Sequence, residues 1–309
     1  MTDAANFDPK PGQVVTLRED LRLILAPNPS PMTFRGTNTY LLGSTELAVI
    51  DPGPDDPRHL DAILRSLQPG QKISHIFVTH AHRDHSALAR PLATKTGAPI
   101  LAFGPAHAGR TPLMKDLAKN TELGGGEGTD PTFQPDQTLR DGEVMQGENW
   151  RIEALWTPGH LSNHMSFSDG EALYCGDHVM GWSSSIVSPP DGDLGAFLAS
   201  CARLRARPEP VFLPGHGPAL TSPQARLDWL LNHRKSRERS ILDALRKTPE
   251  STPHALAAEI YTETPRQLLP AAARNVLAHL IHLTERGLTS PKGNHGPTET
   301  YQLTGREEF

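Results

Sequence analysis

The sequence contains little cysteine and no long apolar run. Two cysteines in 309 residues, Cys175 and Cys201, are too few for the disulfide framework typical of small secreted proteins. No segment approaches the roughly 18 apolar residues that a membrane-spanning helix requires. The polar N-terminal stretch MTDAANFDPKPGQ has no apolar core of a signal peptide. We therefore expect a soluble cytoplasmic protein without a membrane partner.

The sequence also lacks an excess of positive charge and is poor in aromatic residues. Its formal net charge is −5, which argues against a protein built mainly to bind polyanions, although a local basic surface is compatible with it. Aromatic residues make up 6% of the chain, which is little for a surface that stacks nucleic-acid bases. Histidine, by contrast, is abundant, with 15 residues.

Hydrophobic periodicity indicates an α/β architecture for residues 1–220. Pairs of short strands come first, followed by strands that alternate with amphipathic helices, a pattern typical of a sandwich with sheets inside and helices outside. The helix predicted over DHSALARPLATKTG is interrupted or kinked by Pro91. Periodicity is lost over 104–138, and the glycines of 123–130 predict a flexible loop.

Residues 221–309 have a different character. The pattern is almost wholly helical to about residue 287, and two short strands separated by Gly and Pro follow. A helix, a short helix, a longer helix and a hairpin form the order of a winged helix-turn-helix. This part carries 12 Lys and Arg against 10 Asp and Glu, so it is mildly basic. We therefore predict two domains, 1–220 and 221–309, the second a helical linker plus a winged helix.

Three histidines and one aspartate are crowded into the stretch FVTHAHRDHSA. A turn after a buried strand is fixed by packing, so its side chains can be aimed accurately. His80 and His82 alternate and can share one ion, whereas Asp84 and His85 lie at the start of the next helix and can face a second. Imidazole and carboxylate ligands together suit Zn²⁺, with Fe and Mn as alternatives.

Three further residues of the ligand type follow later apolar strands. His160 follows WTPG, Asp177 follows YCG, and His216 lies in LPGHGP. Each has a glycine beside it, which leaves room for a metal next to the backbone. The chain thus offers five histidines and two aspartates at strand-to-loop junctions, enough ligands for two metal sites.

The motifs THAHRDH, TPGH, GD and PGHG, in this order, resemble those of the metallo-β-lactamase superfamily over roughly residues 13–220. The resemblance implies an αββα sandwich and a dinuclear metal centre. The implied ligands are His80, His82 and His160 for the first metal, Asp84, His85 and His216 for the second, and Asp177 as the bridge.

A narrower resemblance rests on GTNTYLLG, HRDHSA, SNHMSF and NHRKSRE, followed by the winged-helix tail. These segments are similar to the β-lactamase-like protein 2 group, whose characterised members are zinc-dependent endoribonucleases of single-stranded RNA. Related chains of similar layout hydrolyse acyl-carrier thioesters. The resemblance implies a hydrolase with two Zn²⁺ ions, in which a bridging hydroxide cleaves a phosphodiester of single-stranded RNA or a small-molecule ester or thioester. At the family level it also implies a homodimer.

Asp84 and His164 are the expected catalytic residues. Asp84 ligates metal and orients the hydroxide or accepts its proton. His164 contacts substrate or protonates a leaving group, although a satisfied strand histidine is an equal alternative. His178 is a weaker choice for the same role and is more typical of a structural residue. Asp51 is expected to orient a ligating histidine from behind.

Antibiotic hydrolysis is not expected as the native role. True β-lactamases commonly have a cysteine where this chain has Asp177, and a bridging carboxylate is usual in hydrolases of thioesters and phosphodiesters. Cys175 lies two residues away and is expected to face the opposite side of its strand.

Other interpretations remain open at this point. The winged helix also suits a nucleic-acid-binding regulator with an idle metal site, and sulfur dioxygenases of the same fold use a single iron with fewer ligands at the second position. One basic patch is either a solvated helix face or a surface that holds an anionic substrate at the metal cleft. It comprises His233, Arg234, Lys235, Arg237 and Arg239.

Overall fold

The structure is a computed structural model that describes residues 6–119, 123, 125, 126 and 128–306. Two β-sheets form its centre. The first sheet has seven strands, each paired with the next: β1 (Val14–Arg18), β2 (Leu21–Leu25), β3 (Asn38–Leu42), β4 (Glu46–Ile50), β5 (Lys72–Phe77), β6 (Ile100–Ala102) and β7 (Gln137–Thr138). The second has five: β8 (Val144–Gln146), β9 (Arg151–Trp156), β10 (Met165–Ser168), β11 (Ala172–Gly176) and β12 (Val211–Pro214).

Each sheet contains parallel strands whose carboxyl ends lie side by side. Strands β1 to β4 are antiparallel, and β4 to β7 are parallel. In the second sheet β8 to β11 are antiparallel, whereas β11 and β12 are parallel. The loops that follow β4, β5, β11 and β12 carry Asp51, the stretch 79–85, Asp177 and His216, so strand direction alone gathers them at one edge of the sandwich.

The two sheets are joined by an apolar core rich in aromatic rings. The ring of Tyr40 lies 5.3 Å from that of Tyr174, and the ring of Phe77 lies 5.2 Å from that of Phe167 and 5.8 Å from that of Trp150. Burial of each large apolar side chain contributes about 1.5–3 kcal/mol. These contacts hold the strand ends, and therefore the loops after them, in fixed relative positions.

Helices cover the outer faces of both sheets. The helices of the first two thirds are α1 (Pro57–Arg65), α2 (Arg83–Ser86), α3 (Ala89–Thr96), α4 (Pro112–Leu117) and α5 (Leu194–Arg205). The predicted interruption by Pro91 is the gap between α2 and α3. It falls at Ala87 and Leu88 because the proline ring conflicts with the carbonyl four residues upstream.

The described part of 104–138 has more regular structure than its lack of periodicity suggested. It contains α4, in which the side chain of Thr111 caps the first turn by accepting from the backbone N–H of Met114, and it ends in β7. Six residues are too few for a helical period to be recognisable in the sequence. Part of the predicted loop 123–130 lies outside the described residues.

The C-terminal third has the order of elements that the sequence predicted. It consists of α6 (Pro223–Lys247), α7 (Pro253–Ile260), α8 (Leu269–Glu285), β13 (Thr289–Pro291) and β14 (Tyr301–Leu303), with β13 and β14 antiparallel. Leu227 and Leu230 of α6 pack with the outer layer of the second sheet, whereas Ile241 and Leu245 pack in the core of the winged helix. Helix α6 therefore connects the two cores. No helix in the described part of the chain has the length and apolar character needed to cross a membrane.

Candidate metal centre

The structure brings the seven predicted ligands together in two groups. Within each group, one nitrogen or oxygen atom of every member lies within 4.8 Å of the others. The groups are His80, His82, His160 and Asp177, and next to them Asp84, His85 and His216. Residues up to 136 positions apart in the sequence thus share one edge of the sandwich.

The first group has the spacing of atoms that surround one ion. Nδ1 of His82 lies 2.9 Å from Nε2 of His80 and 3.1 Å from Nε2 of His160. Atoms bound tetrahedrally to Zn²⁺ at about 2.0–2.1 Å lie roughly 3.3 Å apart. Nδ1 of His82 carries at most one proton, so it cannot donate fully to both Nε2 atoms, whereas one shared cation would satisfy all three nitrogens.

The second group shares a carboxylate with the first. Nε2 of His216 lies 3.3 Å from Nε2 of His85 and 3.2 Å from Oδ2 of Asp84. Asp177 approaches both groups, with Oδ2 lying 3.7 Å from His160 Nε2 and 3.4 Å from His216 Nε2. Its other oxygen, Oδ1, is buried and receives no hydrogen bond from the described residues. This orphaned acceptor and the all-nitrogen-and-oxygen donor set fit a pair of divalent metal ions.

The outer ring nitrogens of four of these histidines are held by fixed oxygens. Nδ1 of His160 lies 2.7 Å from the carbonyl of Ile186, and Nδ1 of His216 lies 3.1 Å from the carbonyl of Gly36. A carbonyl can only accept, so each of these Nδ1 atoms donates and the inner Nε2 keeps a lone pair for metal. The other two contacts are His80 Nδ1 with Thr79 Oγ1 at 2.9 Å and His85 Nδ1 with Asp51 Oδ2 at 2.8 Å.

Asp51 has the supporting position that the sequence suggested. Besides His85, its carboxylate accepts the backbone N–H and the hydroxyl of Thr79, both at 2.8 Å. It is buried and has a φ of +51°, a conformation that aspartate tolerates better than most residues. One carboxylate therefore orients a histidine of each group, His85 directly and His80 through Thr79.

The two groups have opposite electrostatic character. Burial and the neighbouring imidazoles lower the pKa of His80 well below its usual value, and the pKa of His82 to about 3. For His216 burial acts in the same direction, but the carboxylates of Asp177 and Asp84 outweigh it and raise the pKa to about 9. They also raise the pKa of His85 despite its burial. The second group thus has the excess negative charge that a cation neutralises.

Glycines make room for the ligand side chains rather than for the ions, which corrects the expectation from the sequence. A Cβ at Gly215 would lie 2.4 Å from Cε1 of His85 and 2.6 Å from Oδ1 of Asp177. A Cβ at Gly176 would lie 2.6 Å from Nε2 of His164. At Gly159 the close neighbour is the backbone of helix α5.

The structure places His164 behind the first donor group. It is completely buried, and its Nδ1 lies 2.9 Å from Oγ1 of Thr157. Its ring lies 5.1 Å from that of His80, behind the first group, and burial lowers its pKa well below the usual value. This placement matches the alternative of a structural histidine. His178 is also completely buried, with its ring 4.5 Å from that of Phe197.

Cys175 faces away from Asp177, as expected, but strand alternation is not the reason. Residues two apart on a regular strand share a face. The chain turns at Gly176, which has a φ of +46° and lies at a register shift in the pairing of β11 with β12. Cys175 consequently packs among the apolar residues beneath α5, while the carboxylate of Asp177 points into the centre.

The side chains of the basic patch on α6 lie in several different environments. His233 stacks on Trp229 at 4.9 Å, and the guanidinium of Arg237 lies over the ring of Tyr261. Lys235 and Arg239 line a cleft with His282 and Arg286. Arg234 alone turns toward the metal centre, where it donates to the backbone carbonyl of Ser185. The patch as a whole therefore does not form one substrate surface.

Two features of the site have no counterpart among the predicted residues: the oxygens that orient His160 and His216, and an aromatic pair beside the second group. The rings of Phe34 and Trp182 stack at 5.2 Å, and the indole N–H of Trp182 donates to the carbonyl of His216. Backbone carbonyls have no signature in a sequence. Phe34, however, follows the turn-forming segment NPSP, which was a usable signal.

An αββα sandwich with a paired histidine and aspartate centre at the ends of its parallel strands defines a metal-dependent hydrolase class. Residues 32–216 match the metallo-beta-lactamase superfamily, and residues 252–296 match the beta-lactamase associated winged helix domain. The chain belongs to the metallo-beta-lactamase superfamily, and it is a hydrolase of that fold.

Curated relatives extend over both parts of the chain. A beta-lactamase-like protein 2 homolog of Drosophila melanogaster is 32% identical over 89% of this chain and 91% of its own length. The namesake from Caenorhabditis elegans is 26% identical over 88% and 86%. An atrochrysone carboxyl ACP thioesterase of Aspergillus chevalieri is 32% identical over 73% of this chain, but over only 65% of that protein. The narrower resemblance to the β-lactamase-like protein 2 group is thus confirmed.

Solved structures share the whole architecture. A metallo-beta-lactamase family protein from Thermus thermophilus has a TM-score of 0.74 at 25% identity and covers 93% of this chain and 100% of its own. A beta-lactamase domain protein from Burkholderia ambifaria has a TM-score of 0.78 at 19% identity, covering 98% and 97%. The latter likeness shows the fold alone.

Proposed function

We propose that this chain is a two-zinc hydrolase whose substrate is an acyl thioester. The observation that carries the metal assignment is the position of Asp177, whose carboxylate approaches the histidines of both donor groups. His80, His82 and His160 would hold the first ion, and Asp84, His85 and His216 the second. Iron and manganese accept the same donors, so the metal content of the purified protein decides among them.

The side chains supply orientation and charge for hydrolysis. Lowered pKa values keep His80 and His82 neutral and ready to bind metal at neutral pH. Asp84 is partly exposed at the opening, and His85 and His216 lower its pKa against the effect of burial, so it orients a water as an anion. A pair of divalent ions lowers the pKa of such a water and stabilises charge that develops on the substrate oxygen. His164 acts from behind, as a support for the ring of His80.

The thioester assignment is supported by relatives rather than by a substrate pocket. Proteins named as acyl-carrier thioesterases are 30–32% identical to this chain over 72–73% of its length. A bridging carboxylate in place of a cysteine also suits a hydrolase of this kind. The chain's own second donor group is complete, which favours a hydrolase over a single-iron dioxygenase or a regulator with an idle site.

Single-stranded RNA is a second substrate class, favoured by one feature at the rim of the centre. Phe34 and Trp182 form a stacked pair that is half-buried beside the second donor group, and the guanidinium of Arg35 lies 5.6 Å from the centre of the Phe34 ring. Phe34 has a φ of +57°, a strained conformation for a bulky residue. Aromatic rings with a nearby cation are the elements that stack unpaired bases.

Three further proposals concern the whole protein. We propose that residues 1–220 form the catalytic domain and 221–309 a helical linker plus winged helix. Both cysteines are free and buried, which is compatible with a reducing cytoplasm. A homodimer is our proposal from the family resemblance, and light scattering of the purified protein tests it.

The deciding experiment compares both substrates on one preparation. Release of thiol from an acyl-pantetheine thioester and cleavage of end-labelled single-stranded RNA are measured with zinc and with chelator. We expect zinc-dependent thiol release that His82→Ala abolishes and that the exposed-residue control His254→Ala leaves unchanged. RNA cleavage without thiol release would refute the thioester assignment in favour of RNA. Full activity of His82→Ala would refute the metal-centre mechanism.

A further inference from the structure

The loop between β11 and α5 determines the shape of the metal centre. It begins with Asp177, and its Ile186 carbonyl accepts the Nδ1–H of His160 at 2.7 Å. The hydroxyl of Ser185 donates to the backbone carbonyls of Asp177 and His178. One loop therefore fixes both the shared carboxylate and a histidine of the first group, although His160 itself lies on a different segment.

Helix α6 holds this loop by its backbone carbonyls. Arg226 donates from Nε to Met180 at 2.7 Å and from Nη2 to Ser183 at 2.8 Å. About two turns further along, Arg234 donates from Nη2 to the carbonyl of Ser185. The two arginines thus bind backbone carbonyls of the loop segment between Asp177 and Ile186.

Helix α8 holds the other side. Oδ1 of Asn275 accepts from the backbone N–H of Val187 and from Nη1 of Arg234, both at 3.4 Å. The neighbouring Arg274 donates from Nε to the hydroxyl of Ser188 at 2.6 Å. Ile186 is therefore flanked by contacts to two helices of the C-terminal third.

Arg234 is an unusual residue for a purely structural contact. Its side chain is 3% exposed, and no carboxylate of the described residues pairs with it; the ring of Phe197 lies 5.2 Å from its guanidinium. Burial lowers its pKa. Apolar side chains often replace a buried ion pair without loss of stability, whereas a buried charge without a partner is costly. A buried arginine without an acid therefore points to a requirement for a strong donor at Ser185.

We propose that Arg234 is a positioning residue of the metal centre, which acts with Asn275 through Ser185 and Ile186 on His160. The C-terminal helices are then a structural part of the first donor group. This inference rests on the proposed metal centre.

The test measures zinc affinity and fold stability separately in Arg234→Met. Substitution of residues that orient metal ligands commonly lowers metal affinity 10–100-fold, and we expect that loss at one of two sites, by chelator competition and metal analysis. Arg22→Met is the matched control, because Arg22 is also buried and donates to a backbone carbonyl, that of Ser66 at 2.7 Å. We expect the control to bind both ions with wild-type affinity. In the metal-free proteins, the urea concentration at the midpoint of unfolding should fall no more in Arg234→Met than in the control.

Each outcome decides one question. Wild-type affinity at both sites in Arg234→Met would overturn the proposal, and so would an equal loss of affinity in the Arg22→Met control. If Arg234→Met fails to fold, the Asn275→Ala variant is measured instead. We expect its zinc affinity to fall several-fold at one site, and unchanged affinity at both sites would overturn the proposal. Failure of the wild-type protein to bind two ions would instead refute the proposed function.

Discussion

Oδ2 of Asp51 lies 2.8 Å from Nδ1 of His85, and this contact orients an imidazole ring of the second donor group. The same carboxylate holds Thr79, which contacts His80. A single residue outside both donor groups thus couples their geometry.

Asp51→Asn tests this coupling. Asparagine has nearly the same shape and tolerates positive φ, but its amide cannot replace the anion beside His85. We expect zinc affinity to fall about 10–100-fold, chiefly at the second site, with the fold retained. Isothermal titration measures the effect, and the exposed Asp55→Asn serves as the control. Unchanged affinity would mean that Asp51 has only a backbone role.

Gly215→Ala tests the packing of the ligand side chains. The added methyl group would lie 2.4 Å from His85 Cε1 and 2.6 Å from Asp177 Oδ1, so one of the two must move. Because misplacement by about 1 Å can cost on the order of 100-fold in rate, we expect such a loss together with reduced metal content. Gly296→Ala, whose neighbour is the flexible side chain of Glu299, is the control. Full metal content in Gly215→Ala would count against a tightly packed centre.

The metal-free protein should lose stability as the pH rises from about 7 to about 9. Although burial opposes it, Asp177 and Asp84 raise the pKa of His216 to about 9 in the folded state, above the usual value of about 6.5. The folded protein therefore holds a proton that the unfolded chain has released. The stabilisation is complete below about pH 6.5 and disappears as the pH passes about 9.

Urea unfolding with a chelator at several pH values measures this effect. His216→Asn should make the dependence across that interval less steep, since one of the two histidines with a raised pKa is gone. In the wild type, the urea midpoint of unfolding should fall between about pH 7 and about pH 9. A midpoint that stays constant or rises would contradict the electrostatic description of the second group.

His164→Asn tests the structural role of this buried histidine. The amide of asparagine can replace Nδ1 in its contact with Thr157, so we expect activity within about tenfold of the wild type and an unchanged pH–rate profile. A general acid typically contributes 10²–10⁴-fold. A loss of that size, with a changed limb of the profile, would restore the catalytic role that the sequence suggested.

Most of the fold, and the seven side chains that cluster at the edge of the sandwich, could be predicted because they leave periodic or motif signals. Buried strands such as β5 are followed by His80 and its neighbours, and the strand direction brings these residues together. Contacts from distant backbone had no such signal. The hydrogen bond from His160 to the carbonyl of Ile186 and the one from Arg234 to the carbonyl of Ser185 depend on tertiary packing. No local sequence pattern predicts such contacts.

The burial of His164 illustrates the same limit in a different way. Its distance of four residues from His160 suggested a place at the substrate, but the pairing of β9 with β10 turns it behind the first group. Helix α4 was missed because it is short and is stabilised by packing of Met114 and Leu117 on the winged-helix core.

The central claim is that five histidines and two aspartates hold two ions with Asp177 between them. Anomalous diffraction from crystals of the zinc-loaded protein tests it most directly. We predict two zinc peaks about 3.5–4 Å apart, one among His80, His82 and His160, the other among Asp84, His85 and His216. A single peak, or peaks away from Asp177, would contradict the account.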